Sequence, residues 1–142
     1  MIGADTTFLV QLELIEAPAH QRAHELLRLE VLESHRPLAL VPQVLAEFVH
    51  IVTDSRRFQT PLTMEEALAK ASFWWNSTEV RHIFPTDDST RLSLEWLRLH
   101  HLGRKRILDT QLAATLWTAG IQRLFTSNPA DFELLGFQTI VP

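Results

Sequence analysis

Leu38-Ala39-Leu40-Val41 is a run of four apolar residues without polar alternation, closed at once by Pro42. A strand with one solvated face alternates apolar and polar side chains. An unbroken apolar run this short instead fits a strand buried on both faces, as in a parallel sheet covered by helices on either side. Parallel strands cannot be joined by tight turns; each pair needs a crossover, usually helical. This one run therefore predicts a layered α/β chain, and it sets what to look for elsewhere: other short strands with helices between them.

The punctuation supplies them. Ile2 to Asp5 reads as a first strand, followed by a helix that Thr6 could cap and that carries Phe8, Leu9, Leu12 and Ile15 up to Pro18. A Leu-rich helix is predicted over about 19–34. After Val41 a helix runs from Pro42 to about Asp54, with proline in the first turn, where its missing N–H does no harm. Thr63-Met64-Glu65-Glu66 is a capping box for a helix reaching Trp75. Val80 to Phe84 is a strand stopped by Pro85, and Thr86 to Ser89 offer caps for a helix ending near Gly103. The next helix is predicted from near Asp109 to Gly120, a C′ glycine. Arg123 to Thr126 is a strand, Asn128-Pro129 opens a short helix, and Gln138 to Val141 is the last strand. Five strands alternating with helices form a single domain over residues 1–142.

Composition narrows the chemistry. No cysteine is present, which excludes disulfides, zinc thiolates, iron–sulfur clusters and a thiol nucleophile, and fits a reducing cytoplasm. No apolar run approaches the roughly 18–20 residues of a membrane span, and the opening Met1-Ile2-Gly3-Ala4-Asp5 is not that of a secretory signal. Lys plus Arg number 13 against 17 for Asp plus Glu, a formal charge of −4. Bulk positive charge therefore does not hold this chain on nucleic acid; a nuclease whose acids are offset by metal remains compatible.

In parallel sheets, ligands bind beyond the carboxyl ends of the strands. Asp5 closes the first strand, Glu47 lies in the second turn of the helix after the second, and Asn128 and Asp131 follow the fourth. Asp109 joins them if the fold brings its helix start to the same edge. An oxygen-only set of this kind suits Mg²⁺ or Mn²⁺ and metal-assisted phosphodiester hydrolysis. Each residue also has an ordinary structural role: Asp5 and Asp109 as helix caps, Glu47 as part of a solvated stripe with Gln43, His50 and Asp54, Asn128 as a turn residue, and Asp131 as the cap of the Phe132 helix.

Four segments in order resemble the PIN domain, and within it the VapC-type ribonuclease toxins of type II toxin–antitoxin pairs. They are Asp5-Thr6-Thr7, Val41-Pro42-Gln43-Val44-Leu45-Ala46-Glu47-Phe48, Ile107-Leu108-Asp109-Thr110-Gln111-Leu112-Ala113-Ala114-Thr115 and Leu124-Phe125-Thr126-Ser127-Asn128-Pro129-Ala130-Asp131-Phe132. The resemblance covers nearly the whole chain. It implies a PIN-like fold with a five-stranded sheet in order 3-2-1-4-5, and metal-dependent endoribonuclease activity with Mg²⁺, or Mn²⁺ in its place. It also implies Asp5, Glu47 and Asp109 as catalytic metal ligands, an RNA substrate, a cognate antitoxin and a homodimer. The family's fourth acid falls on Asn128, a weaker donor for a hard cation, and Asp131 could compensate.

Arg98, His100, His101, Arg104, Lys105 and Arg106 are the densest basic stretch, and Arg98, Arg104, Lys105 and Arg106 are candidate phosphate holders; as a helix end they also suit the dipole. Arg56 and Arg57 form a second patch. The four tryptophans read as core or dimer-interface residues. A haloacid-dehalogenase-type phosphotransferase would want an Asp where Thr7 stands, and a phospho-receiver would want a lysine late in the chain, whereas the only lysines are Lys70 and Lys105. The remaining alternative is a PIN-like RNA-binding or protein-interaction module with little or no catalysis.

Overall fold

The computed structural model describes all residues, Met1 to Pro142. It contains strands β1 (Ile2–Ala4), β2 (Leu38–Leu40), β3 (Val80–His82), β4 (Arg123–Phe125) and β5 (Gln138–Ile140). The helices are α1 (Thr6–Glu13), α2 (His20–Leu27), α3 (Pro42–Val52), α4 (Met64–Trp75), α5 (Asp87–Leu99), α6 (Ile107–Thr118) and α7 (Pro129–Glu133). All five strands are parallel, in the order β3-β2-β1-β4-β5. This is the predicted sheet, with the first strand at its centre.

Register shows how the two faces are covered. Gly3 pairs with Leu124, and a β-carbon on Gly3 would press on Leu116 of α6. Ala4 pairs with Phe125, whose ring stacks on Phe8 of α1 at 4.2 Å. Successive strand residues point to opposite faces, so α6 lies on one side and α1 on the other. Helices α1 to α4 pack against one another, and α5 and α7 pack on α6. Ile2, Leu38, Leu40 and Leu124 are wholly buried, as the apolar run at 38–41 requires. No helix is long and apolar enough to cross a membrane.

Local differences from the expectations have identifiable causes. Asp5, not Thr6, caps α1. The helix predicted over 19–34 is α2 followed by a π-helical turn at Arg28–Leu32, closed by the Glu33 N–H on the Arg28 carbonyl at 2.8 Å; a 3.6-residue periodicity does not register the inserted residue. Helix α6 begins two residues before Asp109, after a 3₁₀ turn at Arg104–Arg106. Gly120, at φ +80°, is the expected left-handed residue after α6. Trp74 is buried, and Trp75, Trp96 and Trp117 pack on the core.

Candidate functional site

The chain leaves the central strand at Asp5, whose N–H continues the ladder to the Phe125 carbonyl at 3.1 Å. One carboxylate oxygen, Oδ1, then caps α1 by accepting the Phe8 N–H at 3.1 Å, and also accepts the Thr7 hydroxyl at 2.6 Å. The other, Oδ2, accepts the hydroxyl of Thr126, just past β4, at 2.5 Å. Asp5 is buried. Burial raises its pKa, and the donors from Thr126, Thr7 and Phe8 offset only part of that rise.

Glu47 stands half-buried on α3, the helix that leaves the end of β2. Its Oε2 accepts the Thr6 hydroxyl at 3.1 Å and its Oε1 the Gln43 amide at 2.9 Å. The same Gln43 nitrogen donates to the Leu108 carbonyl at 2.8 Å. One amide thus fastens the glutamate helix to the residue preceding Asp109.

Helix α6 leads into β4, so its first turn lies at the carboxyl edge of the sheet, which settles the one conditional placement in the sequence reading. Asp109 is not a cap: Arg106 occupies that position and Asp109 is the third helical residue. Its pKa is pushed up to about 6, first by desolvation and then by the charges of Asp5, Glu47 and Asp131, with only Arg106 acting against them.

These acids share one electrostatic field without closing into a cage. Nowhere in the molecule do three or more His, Asp or Glu side chains sit at metal-ligating separation. Asp5 and Glu47 are each turned onto local donors: Thr7, Phe8 and Thr126 for Asp5, and Thr6 and Gln43 for Glu47. Mg²⁺ usually takes only one or two carboxylates directly and keeps several waters. An open, oxygen-only, net-negative edge fits such an ion.

The other candidates divide. Asn128 is exposed, opens α7 without a side-chain cap bond, and donates its N–H to Thr126 Oγ1 at 2.9 Å. Asp131 does not cap the Phe132 helix; its Oδ1 pairs with Arg106 Nη1 at 3.0 Å. Arg106 also donates to the Asp131 carbonyl at 3.2 Å, so it is a neutralised bracket between α6 and α7 rather than a free phosphate holder. Arg98, at the end of α5, and Arg104 and Lys105 in the 3₁₀ turn are exposed and form no ion pair. Thr126, Thr6 and Gln43 escaped the sequence reading as site residues. The available signals were a hydroxyl directly after a buried strand and an amide one helical turn before Glu47.

No family model matches the chain, and no curated protein matches it. Solved structures do. The chain is 25% identical to the crystal structure of Mycobacterium tuberculosis VapC20, described as a sarcin-ricin loop cleaving toxin, over 100% of both chains with a TM-score of 0.73. It is 18% identical to VapBC2 from Rickettsia felis bound to a DNA fragment from its promoter, covering 99% of this chain and 98% of that one, with a TM-score of 0.67. It is 14% identical to FitAcB from Neisseria gonorrhoeae, covering 99% and 96%, with a TM-score of 0.66.

Proposed function

We propose, from the premise that this chain has the fold of the PIN-domain VapC toxins, that it is a divalent-metal-dependent endoribonuclease and the toxin of a type II toxin–antitoxin pair. The observation that carries the reading is Asp109, a partly desolvated carboxylate raised to a pKa of about 6 by its acidic neighbours at the carboxyl edge of the sheet. Perturbed carboxylates cluster at functional sites, and here the shift coincides with the convergence of Asp5, Glu47 and Asp109 at one edge.

In this reading Asp5, Glu47 and Asp109 hold Mg²⁺ or Mn²⁺, with Asn128 and Asp131 at the margin. When bound, the ion supplies charge neutralisation at the phosphate and a more acidic water. Thr7, Thr126 and the Phe8 N–H fix the Asp5 carboxylate, and Gln43 fixes Glu47 relative to Asp109. Arg98, Arg104 and Lys105 hold flanking RNA phosphates. The neutral Asn128 is a weaker donor to a hard cation than a carboxylate, which argues against a second tightly held metal. A cognate antitoxin, a homodimer and a cytoplasmic location complete the proposal. Asn128 and the absence of a closed cage favour the alternative of an RNA-binding or protein-interaction module, and one experiment separates the two.

Labelled RNA is incubated with the protein and Mn²⁺, Mg²⁺ or EDTA. Cleavage is expected with either metal and not with EDTA. Asp5→Asn should lower the rate at least about a hundredfold while melting close to wild type, because asparagine caps helices about as well. Equal cleavage by Asp5→Asn would reject the site. Metal-independent RNA binding without cleavage would favour the module.

A further inference from the structure

Thr7 belongs to two structures at once. Its hydroxyl donates to Asp5 and accepts the Ser127 N–H at 2.9 Å. It also forms part of the wall of a cavity of about 370 Å³ bounded by α1, the end of α3 with its following turn, and the loop after β4. This volume is within the range of small-ligand pockets, about 300–1,000 Å³. The molecule's other cavities have no wall residue that touches Asp5. This one begins a single hydrogen bond away.

Its lining has the chemistry of a nucleotide site. Phe58 offers a half-buried aromatic surface, and Val10 and Ile51 add apolar wall. Gln11 Oε1 accepts the Ala19 N–H at 2.9 Å, which fixes the amide and leaves its NH₂ donors without a protein acceptor. The Ser127 hydroxyl has no protein partner. Arg57 approaches Asp54 only through Nε, at 3.4 Å, so its terminal nitrogens remain available. Glu16 is the one carboxylate in the wall, and its oxygens accept the Gln59 and Thr60 N–H groups at 3.2 and 3.0 Å. It braces the turn that carries Phe58.

We propose that this cavity is a base-selecting nucleotide subsite beside the cleavage centre, a proposal that rests on the ribonuclease reading. An unpaired base lies against Phe58, its carbonyl or ring-nitrogen acceptors meet the Gln11 amide and the Ser127 hydroxyl, and the adjoining phosphate meets Arg57. Stacking supplies sequence-tolerant affinity, and Gln11 supplies the choice of base. The site thereby acquires a preference for the nucleotide flanking the cut.

Two measurements test it on the full chain. Calorimetry with AMP, GMP, CMP and UMP reads the subsite without requiring catalysis. Sequencing the ends cut from a randomised RNA pool with Mn²⁺ reads selection. Wild type should bind one or two of the monophosphates preferentially and show a matching base at one flanking position. Phe58→Leu should weaken binding roughly tenfold. Gln11→Glu, which keeps the acceptor for Ala19 but removes the donors, should move the preference towards bases that present an amino group. Thermal melts confirm that both variants fold. If wild type cleaves RNA and both variants keep its affinities and cut sites, the subsite is rejected and the ribonuclease reading stands. If monophosphates bind and respond to both variants while no RNA is cut, the subsite stands and the ribonuclease reading fails. If the variants alter only the affinity of an antitoxin protein, the cavity is a protein-docking pocket and the proposal is overturned.

Discussion

Asp109 and Asp5 are both raised carboxylates, but they are constrained differently. Asp5 has three protein donors to offset its burial; Asp109 has only the charge of Arg106. A carboxyl group whose folded pKa of about 6 exceeds its ordinary 3.8 gives stability that is fully present below the lower value. That stability is lost as pH rises through the higher one. The metal-free protein is therefore strained at neutral pH. Asp109→Asn should stabilise it at pH 7.5 in EDTA by about 1 kcal/mol, after allowance for partial exposure and for the favourable helix dipole that an ionised first-turn acid enjoys. The advantage should vanish below about pH 4, and the rise in Tm on adding Mn²⁺ should shrink. Melts of the two proteins across pH, with and without metal, check this. A destabilised Asp109→Asn with an undiminished Mn²⁺ shift would make Asp109 a purely structural residue. The acids themselves were legible because strand ends and helix starts point to them. Thr126 was not, because the partner that gives its hydroxyl a purpose lies 121 residues away in the chain. The Arg106–Asp131 pair was hidden for the same reason: two residues that each looked available neutralise one another.

At the scale of elements, β1 runs beneath α6 with Gly3 facing Leu116. A β-carbon there would stand 2.8 Å from one methyl of Leu116, 3.3 Å from the other and 3.2 Å from a methyl of Leu124, and both leucines are wholly buried. Gly3→Ala should cost about 1–3 kcal/mol through overpacking, seen as a lower urea midpoint with an unchanged slope. An unaltered midpoint would show that α6 can shift away from the sheet. The existence and order of the elements were readable because prolines, acids and glycines punctuate short apolar runs. Their ends were less so. The 38–41 run lends its last residue, Val41, to cap α3, and the third strand stops at His82 rather than Phe84. Hydropathy marks what is buried, whereas backbone hydrogen bonding decides where a strand ends. The early start of α6 was obscured because Arg104–Arg106 look like a solvated basic loop and are a helical turn.

For the molecule as a whole, the formal charge is −4, and exposed arginines and lysines are spread over the surface, with Arg98, Arg104 and Lys105 those nearest the start of α6 in the chain. If it is a toxin, inducing it alone in bacteria should arrest growth, and co-expression with its antitoxin should restore growth. Soluble protein that cleaves RNA in vitro yet leaves growth unimpaired would separate the nuclease from the toxin role.

The central position of β1 also bears on when the site can assemble. Strand β1 is made before both of its neighbours, β2 and β4, and Asp5 is joined to Thr126, 121 residues further along the chain. At about 5–20 residues per second, the intervening stretch takes roughly 6–24 s to translate. Throughout that interval the nascent chain displays its first acid without the strand and hydroxyl that hold it in place. The arrangement works as a built-in delay: the Asp5 carboxylate acquires its fixed position only after β4 and Thr126 have emerged and docked.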